Sequence, residues 1–271
     1  MLTKVDLNNV LNLSCVERYF LAWLNKYYDI KKLYNNSYIT IQKVFDDFLN
    51  GATYENYNEI ERIQDNAEKN NIIIHSFIHI EAHEALRIIK ELKDDELCLI
   101  QVSTNFLKKY KRQALRFDHY ICINRDLEWL NEYPLSSGKY SIDDFLEIFS
   151  NKILIYKLNN LDNVPNNQNN ENIINQKMEE NINYPKDLLR LESAIGVLRI
   201  SRKRLENFYM DNPKISLLFK DESQILDKLY FQIHFKMIKN QCLNFMDFEK
   251  ELYNLLNYEK KVIEVIKNEE R

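Results

Sequence analysis

The sequence predicts an α+β fold, on three observations. Apolar residues recur at helical spacing between Val16 and Tyr27, short β-branched runs crowd the stretch from Ile72 to Lys157, and helical spacing returns from Leu188 onward. The order is helices first, then a meander of strands with inserted helices. That is not the strict alternation of a βαβ array.

Taken in order, the first helix is the clearest. Val16, Tyr19, Phe20, Trp23, Leu24 and Tyr27 stand at i, i+3, i+4, i+7, i+8 and i+11. Ser14 precedes it with Glu17 three residues on, a capping-box spacing that starts the helix at Cys15. A second helix is expected over Ile41–Leu49, with Val44, Phe45 and Phe48 inward, and a third around Asn58–Asn70. The runs Ile72–His79 and Leu97–Val102 read as strands around a helix at His83–Leu92. His119–Ile123 and Leu127–Asn131, split by a polar turn, read as a hairpin. Ser141 opens a helix running to about Phe149, and Lys152–Lys157 is a last strand.

Eleven of the twenty-five residues from Asn159 to Asn183 are asparagine, with Pro165 among them. So polar a tract has little apolar surface to offset its ordering entropy, and it reads as a linker or mobile loop. It divides a mixed region, 1–158, from a helical one, 184–271. Three helices are expected in the latter, carried by Leu188, Leu191, Ile195, Leu198 and Leu205, by Ile225–Met237, and by Phe245, Phe248, Leu252 and Leu255. Asn212 and Pro213 separate the first two.

Composition excludes several function classes. Only Gly51, Gly138 and Gly196 occur, so no glycine cluster can bring backbone close to a phosphate, as a P-loop or dinucleotide fingerprint requires. A net charge of −4 argues against a general nucleic-acid binder. No apolar run approaches a membrane span and the first residues carry no secretory pattern. The four cysteines, Cys15, Cys98, Cys122 and Cys242, are scattered and read as free thiols in a reducing cytoplasm. No cofactor is expected, nor a metal. His79 and His83 are four apart, but the strand-to-helix change falls between them and no third ligand follows.

Cys15 is the sharpest chemical candidate. At a helix N-terminus the macrodipole and unsatisfied N–H groups favour thiolate, the nucleophilic form, and the same groups can receive an oxyanion. The alternative is a small buried hydrophobe. A cysteine nucleophile needs a base oriented by a third group. His119 opens a strand, where an imidazole can be both fixed and accessible. With Asn124-Arg125-Asp126 as a three-residue loop, Ile123 pairs with Leu127, Ile121 with Trp129 and His119 with Asn131. That face then reads His, Ile, Ile, Leu, Trp, Asn. A two-residue loop would turn Glu128, Leu130 and Glu132 toward His119 instead. The first register segregates apolar from polar and is preferred.

These residues resemble the papain-like cysteine protease fold. A cysteine opens the first long helix, a distant histidine leads a strand, and an asparagine one strand later precedes Pro134. The succession Leu97–Val102, His119–Ile123, Leu130-Asn-Glu-Tyr-Pro134 and Tyr140–Phe145 is similar to the peptidase C39-like branch and to acyltransferases of the butirosin-biosynthesis-protein-H type. The likeness covers about residues 8–158. It implies N-terminal helices packed on an antiparallel sheet, with the C-terminal helices as an extension. It also implies Cys15 as nucleophile, His119 as base, Asn131 as orienting residue and Asn9, six residues before the cysteine, in the oxyanion hole. There the family has a glutamine, and C39 peptidases have glycine where Val16 stands.

The resemblance further implies amide formation in natural-product biosynthesis. An acyl group would pass without ATP from the phosphopantetheine arm of a carrier protein, through Cys15, to a small amine such as a diamine. A carrier is acidic, so Lys108, Lys109, Lys111, Arg112 and Arg116 are the expected docking residues, with Arg199, Arg202, Lys203 and Arg204 a second basic cluster. The competing expectations are a C39-like cysteine peptidase and a catalytically inactive helical binding module.

Overall fold

The computed structural model describes residues 2–12, 14–52, 72–103, 119–132, 135–158 and 183–269. They form two compact units, the first from 2–30, 72–103, 119–132 and 135–158, the second from 31–52 and 183–269. The fold is mixed α+β.

In the first unit six strands form one antiparallel sheet: β1 (Ile72–Ile78), β2 (Leu97–Val102), β3 (His119–Ile123), β4 (Glu128–Glu132), β5 (Leu135–Lys139) and β6 (Phe149–Leu158). Their spatial order is β1-β6-β2-β3-β4-β5. β2 and β3 are buried along their whole length, which explains why they read as unbroken apolar runs: both faces of the sheet are covered. One face holds α1 (Cys15–Leu24), whose Phe20 and Trp23 rings lie 5.0 and 6.3 Å from Tyr156. On the other, the alternate residues Cys98, Ile100, Ile121, Ile123, Trp129 and Ile153 pack with Ala85 and Ile89 of the helix Ala82–Lys90 and with Phe145 of the helix Ile142–Ile148.

The caps follow from local chemistry. Ser14 Oγ accepts the Glu17 N–H at 3.2 Å and fixes the start of α1 where the spacing placed it. Helix α2 (Ile41–Leu49) is capped by Thr40, and α3 spans Ala82–Lys90. Ser141 and Asp144 form a reciprocal capping box on α4 (Ile142–Ile148). The helix expected at Asn58–Asn70 and the tract 159–182 lie outside the described residues.

The hairpin has a three-residue loop, but one residue further on than expected. Asn124 pairs with Glu128, and Arg125-Asp126-Leu127 make the turn. The Asn124 side chain accepts the N–H groups of Asp126 and Glu128, and Leu127 takes a left-handed φ of 60°. Ile123 therefore pairs with Trp129, not Leu127. Because the slip is two residues, each side chain keeps its face. Ile121, Ile123, Leu127 and Trp129 do share one apolar cluster.

The second unit comprises α2 with α5 (Leu188–Phe208), α6 (Pro213–Ile238) and α7 (Phe245–Glu269). Asn212 caps α6 with Pro213 in its first turn. Residues 31–52, which the sequence groups with the mixed region, fold here because α5 and α7 supply their polar partners. Arg202 reaches the Ile39 carbonyl at 2.9 Å, Glu259 accepts the Ile41 N–H at 3.2 Å, and Ser201 bonds to the Ser37 carbonyl.

Candidate functional site

The structure brings His119 and Asn131 together. The imidazole Nε2 lies 2.8 Å from Asn131 Oδ1, and the two residues are 5% and 1% exposed. The observed register, continued one residue, sets Asn131 beside Ile121, so this bond runs diagonally between strands. An acceptor oxygen on Nε2 requires Nε2 to carry the proton, which leaves Nδ1 as the basic nitrogen.

Cys15 begins α1, and its sulfur is approached by the N–H groups of Tyr120, Val16 and Cys15 itself. The Tyr120 N–H belongs to the peptide unit that joins it to His119. The sulfur thus lies near the main chain that follows His119. The pleat points His119 and Asn131 toward the α3–α4 face, with Ile121 and Trp129, while α1 lies across the opposite one.

The ionisation expected of Cys15 is overturned. Burial and, after it, the Glu132 carboxylate push the thiol up to about 11, and the three N–H groups only partly offset them. The resting sulfur is a protonated thiol. Helix-terminus attraction is a fraction of a charge. Here desolvation wins.

The remaining site expectations fall as follows. Asn9 closes a short 3-10 turn, Asp6–Asn9, and its side chain lies outside the described residues. So do Lys108, Lys109, Lys111, Arg112 and Arg116, all within 104–118. The second basic cluster is not a docking surface. Arg202 and Arg204 are fully buried, and Arg199 and Lys203 both pair with Asp227. A run of cations on a helix usually marks a solvated face, but here Arg202 and Arg204 turn inward.

Three residues around the site were not singled out by sequence. Tyr19 was read only as core, yet its buried hydroxyl donates to the Leu130 carbonyl at 3.1 Å and accepts the Glu132 N–H at 2.8 Å. Arg18 bonds to Glu132 at 3.0 Å and to the Leu7 carbonyl at 2.9 Å. Glu132 is the carboxylate beside Cys15. The usable signal was the i+4 spacing of Cys15 and Tyr19, which puts both on one helix face.

A small open cleft of about 70 Å³ lies toward the other end of α1, with Trp23, Lys26, Tyr27, Cys122 and Arg125 in its wall. It includes none of Cys15, His119 and Asn131, and its cations Lys26 and Arg125 pair with Asp6 and Asp94. Among the described residues no group of three or more His, Cys, Asp or Glu is placed to hold a metal, and no helix is long and apolar enough to cross a membrane. No family model, curated protein or solved structure matches the chain.

Proposed function

We propose that this protein is a papain-like cysteine acyltransferase of natural-product biosynthesis. Cys15 would take an acyl group from a carrier-protein thioester and pass it to an amine, with His119 as base and Asn131 as its orienting residue. The supporting observation is the buried 2.8 Å His119–Asn131 bond, with the Cys15 sulfur near the N–H of Tyr120, the residue that follows His119.

Because the thiol rests protonated, proton transfer and attack are coupled. His119 Nδ1 takes the sulfur's proton as sulfur bonds to the acyl carbon, and N–H groups of the first turn of α1 receive the oxyanion. The thioester C–S bond then breaks and the imidazolium returns the proton to the departing carrier thiol. In the second half the amine attacks, His119 takes its proton, and Cys15 leaves as the thiol when the imidazolium reprotonates it. The thioester supplies the activation, so no ATP is needed. The basic residues Lys108, Lys109, Lys111, Arg112 and Arg116 remain the proposed carrier contact, and a cytoplasmic setting matches four free cysteines.

A second reading, a catalytically inactive binding module, is favoured by the raised Cys15 ionisation. Intact-mass measurement after incubation with an acyl thioester separates the two. An acyl adduct on the wild type and none on Cys15→Ala supports the enzyme; no adduct on either supports the module. Adding amines to the adduct then distinguishes transfer from the hydrolysis expected of a peptidase.

A further inference from the structure

We infer that Tyr19 is a positioning residue, whose hydroxyl fastens the helix bearing Cys15 to the main chain on both sides of Asn131. The geometry is specific. One oxygen donates to the carbonyl of Leu130 and accepts the N–H of Glu132, the residues immediately before and after Asn131. Tyr19 is fully buried and stands one helical turn beyond Cys15, on the same face. The phenol carries two hydrogen bonds to a single strand segment, so helix and strand cannot slide past each other without breaking both. Arg18 adds a third tie from the same helix to Glu132. The segment thus held carries the acceptor of the His119 Nε2 proton. A chain of fixed contacts therefore runs from the nucleophile's helix through Tyr19 and Asn131 to the imidazole. Burial, with Cys122, Glu132 and Cys15 nearby, holds the phenol's ionisation well above its ordinary value, so it stays a donor at every working pH.

The role rests on the acyl-transfer reading for its purpose, but not for its test. Tyr19→Phe removes the hydroxyl and keeps the ring. Replacement by 4-methylphenylalanine also keeps the volume and guards against collapse of the site. Three readouts apply to each: the His119 imidazole titration by nitrogen NMR, the pH profile of Cys15 alkylation by iodoacetamide, and acylation by a small thioester. Expected are a displaced imidazole titration, an altered alkylation profile, and an acylation rate lowered about tenfold to a hundredfold at unchanged KM, since a misplacement of about 1 Å can cost that much. A variant that melts earlier but keeps the wild-type titration and alkylation profile would overturn the inference. Failure of both variants to fold would overturn it too, by assigning Tyr19 to stability alone. If even the wild type takes no acyl group, the proposed function fails, while the titration and alkylation profiles still decide the case of Tyr19.

Discussion

The two units each bury a polar cluster, and the clusters are built on opposite principles. In the helical unit Arg202 makes four hydrogen bonds to buried partners: Nε to Glu222 at 2.7 Å, Nη2 to Glu259 at 2.6 Å, and Nη1 to the Ile39 carbonyl and Ser201 Oγ. Tyr38 completes it by donating to Glu259 at 3.2 Å. In the sheet unit the polar groups are an imidazole bonded to an amide where strand β3 begins, and a thiol at the start of α1. Both clusters contain groups with displaced ionisation. Displacement alone therefore does not mark a site. What separates them is composition: charged side chains tie helices to one another in the first, whereas the second holds an imidazole bonded to an amide and a neutral thiol.

That comparison can be broken, the largest effect first. Arg202→Met leaves two buried carboxylates without their cation, and urea unfolding should show a loss of about 3–5 kcal/mol. Cys15→Ser, measured the same way, should cost under about 1 kcal/mol. Equal losses would erase the distinction. Asn131→Ala frees the imidazole and should lower the acylation rate on the order of 10²-fold, with KM for a small thioester little changed. Gly138 faces Trp129, where an added Cβ would lie 2.9 Å from the indole. Gly138→Ala should cost about 1–3 kcal/mol by overpacking, read as a lowered unfolding midpoint.

The smallest effect sharpens the comparison through pH. Burial raises the Glu259 carboxyl to about 7 and Arg202 only partly opposes it, with Glu222 also raised by burial. The native state then holds a proton that the unfolded chain releases from its ordinary 4.5. This contribution is complete below that value and is lost as pH rises to about 7. The helical unit should unfold more readily at pH 8 than at pH 5, and Glu222→Gln should flatten the slope.

The α+β class, the caps at Ser14 and Ser141, and the face shared by His119 and Asn131 were legible because each depends on near neighbours in sequence. Alternation fixes which face a strand residue takes, so the His119–Asn131 pair survived a two-residue error in register. The exact pairing was not legible because Leu127, a residue that disfavours left-handed backbone, adopts it under the pull of the Asn124 side chain. Residues 31–52 were assigned by chain proximity, and nothing local reveals that Ile39 and Ile41 bond to residues 163 and 218 positions away. The Cys15 ionisation was misjudged for a similar reason: the helix start is local, but Glu132 and the desolvating sheet are not.

The central claim, that a neutral thiol is deprotonated by His119 during attack, is tested most directly by the pH dependence of Cys15 acylation. A small thioester, wild type and His119→Ala suffice. The wild-type rate should rise and level off well below the thiol's own ionisation near 11, while the variant should climb only toward that ionisation. Two curves that climb together toward high pH would contradict it.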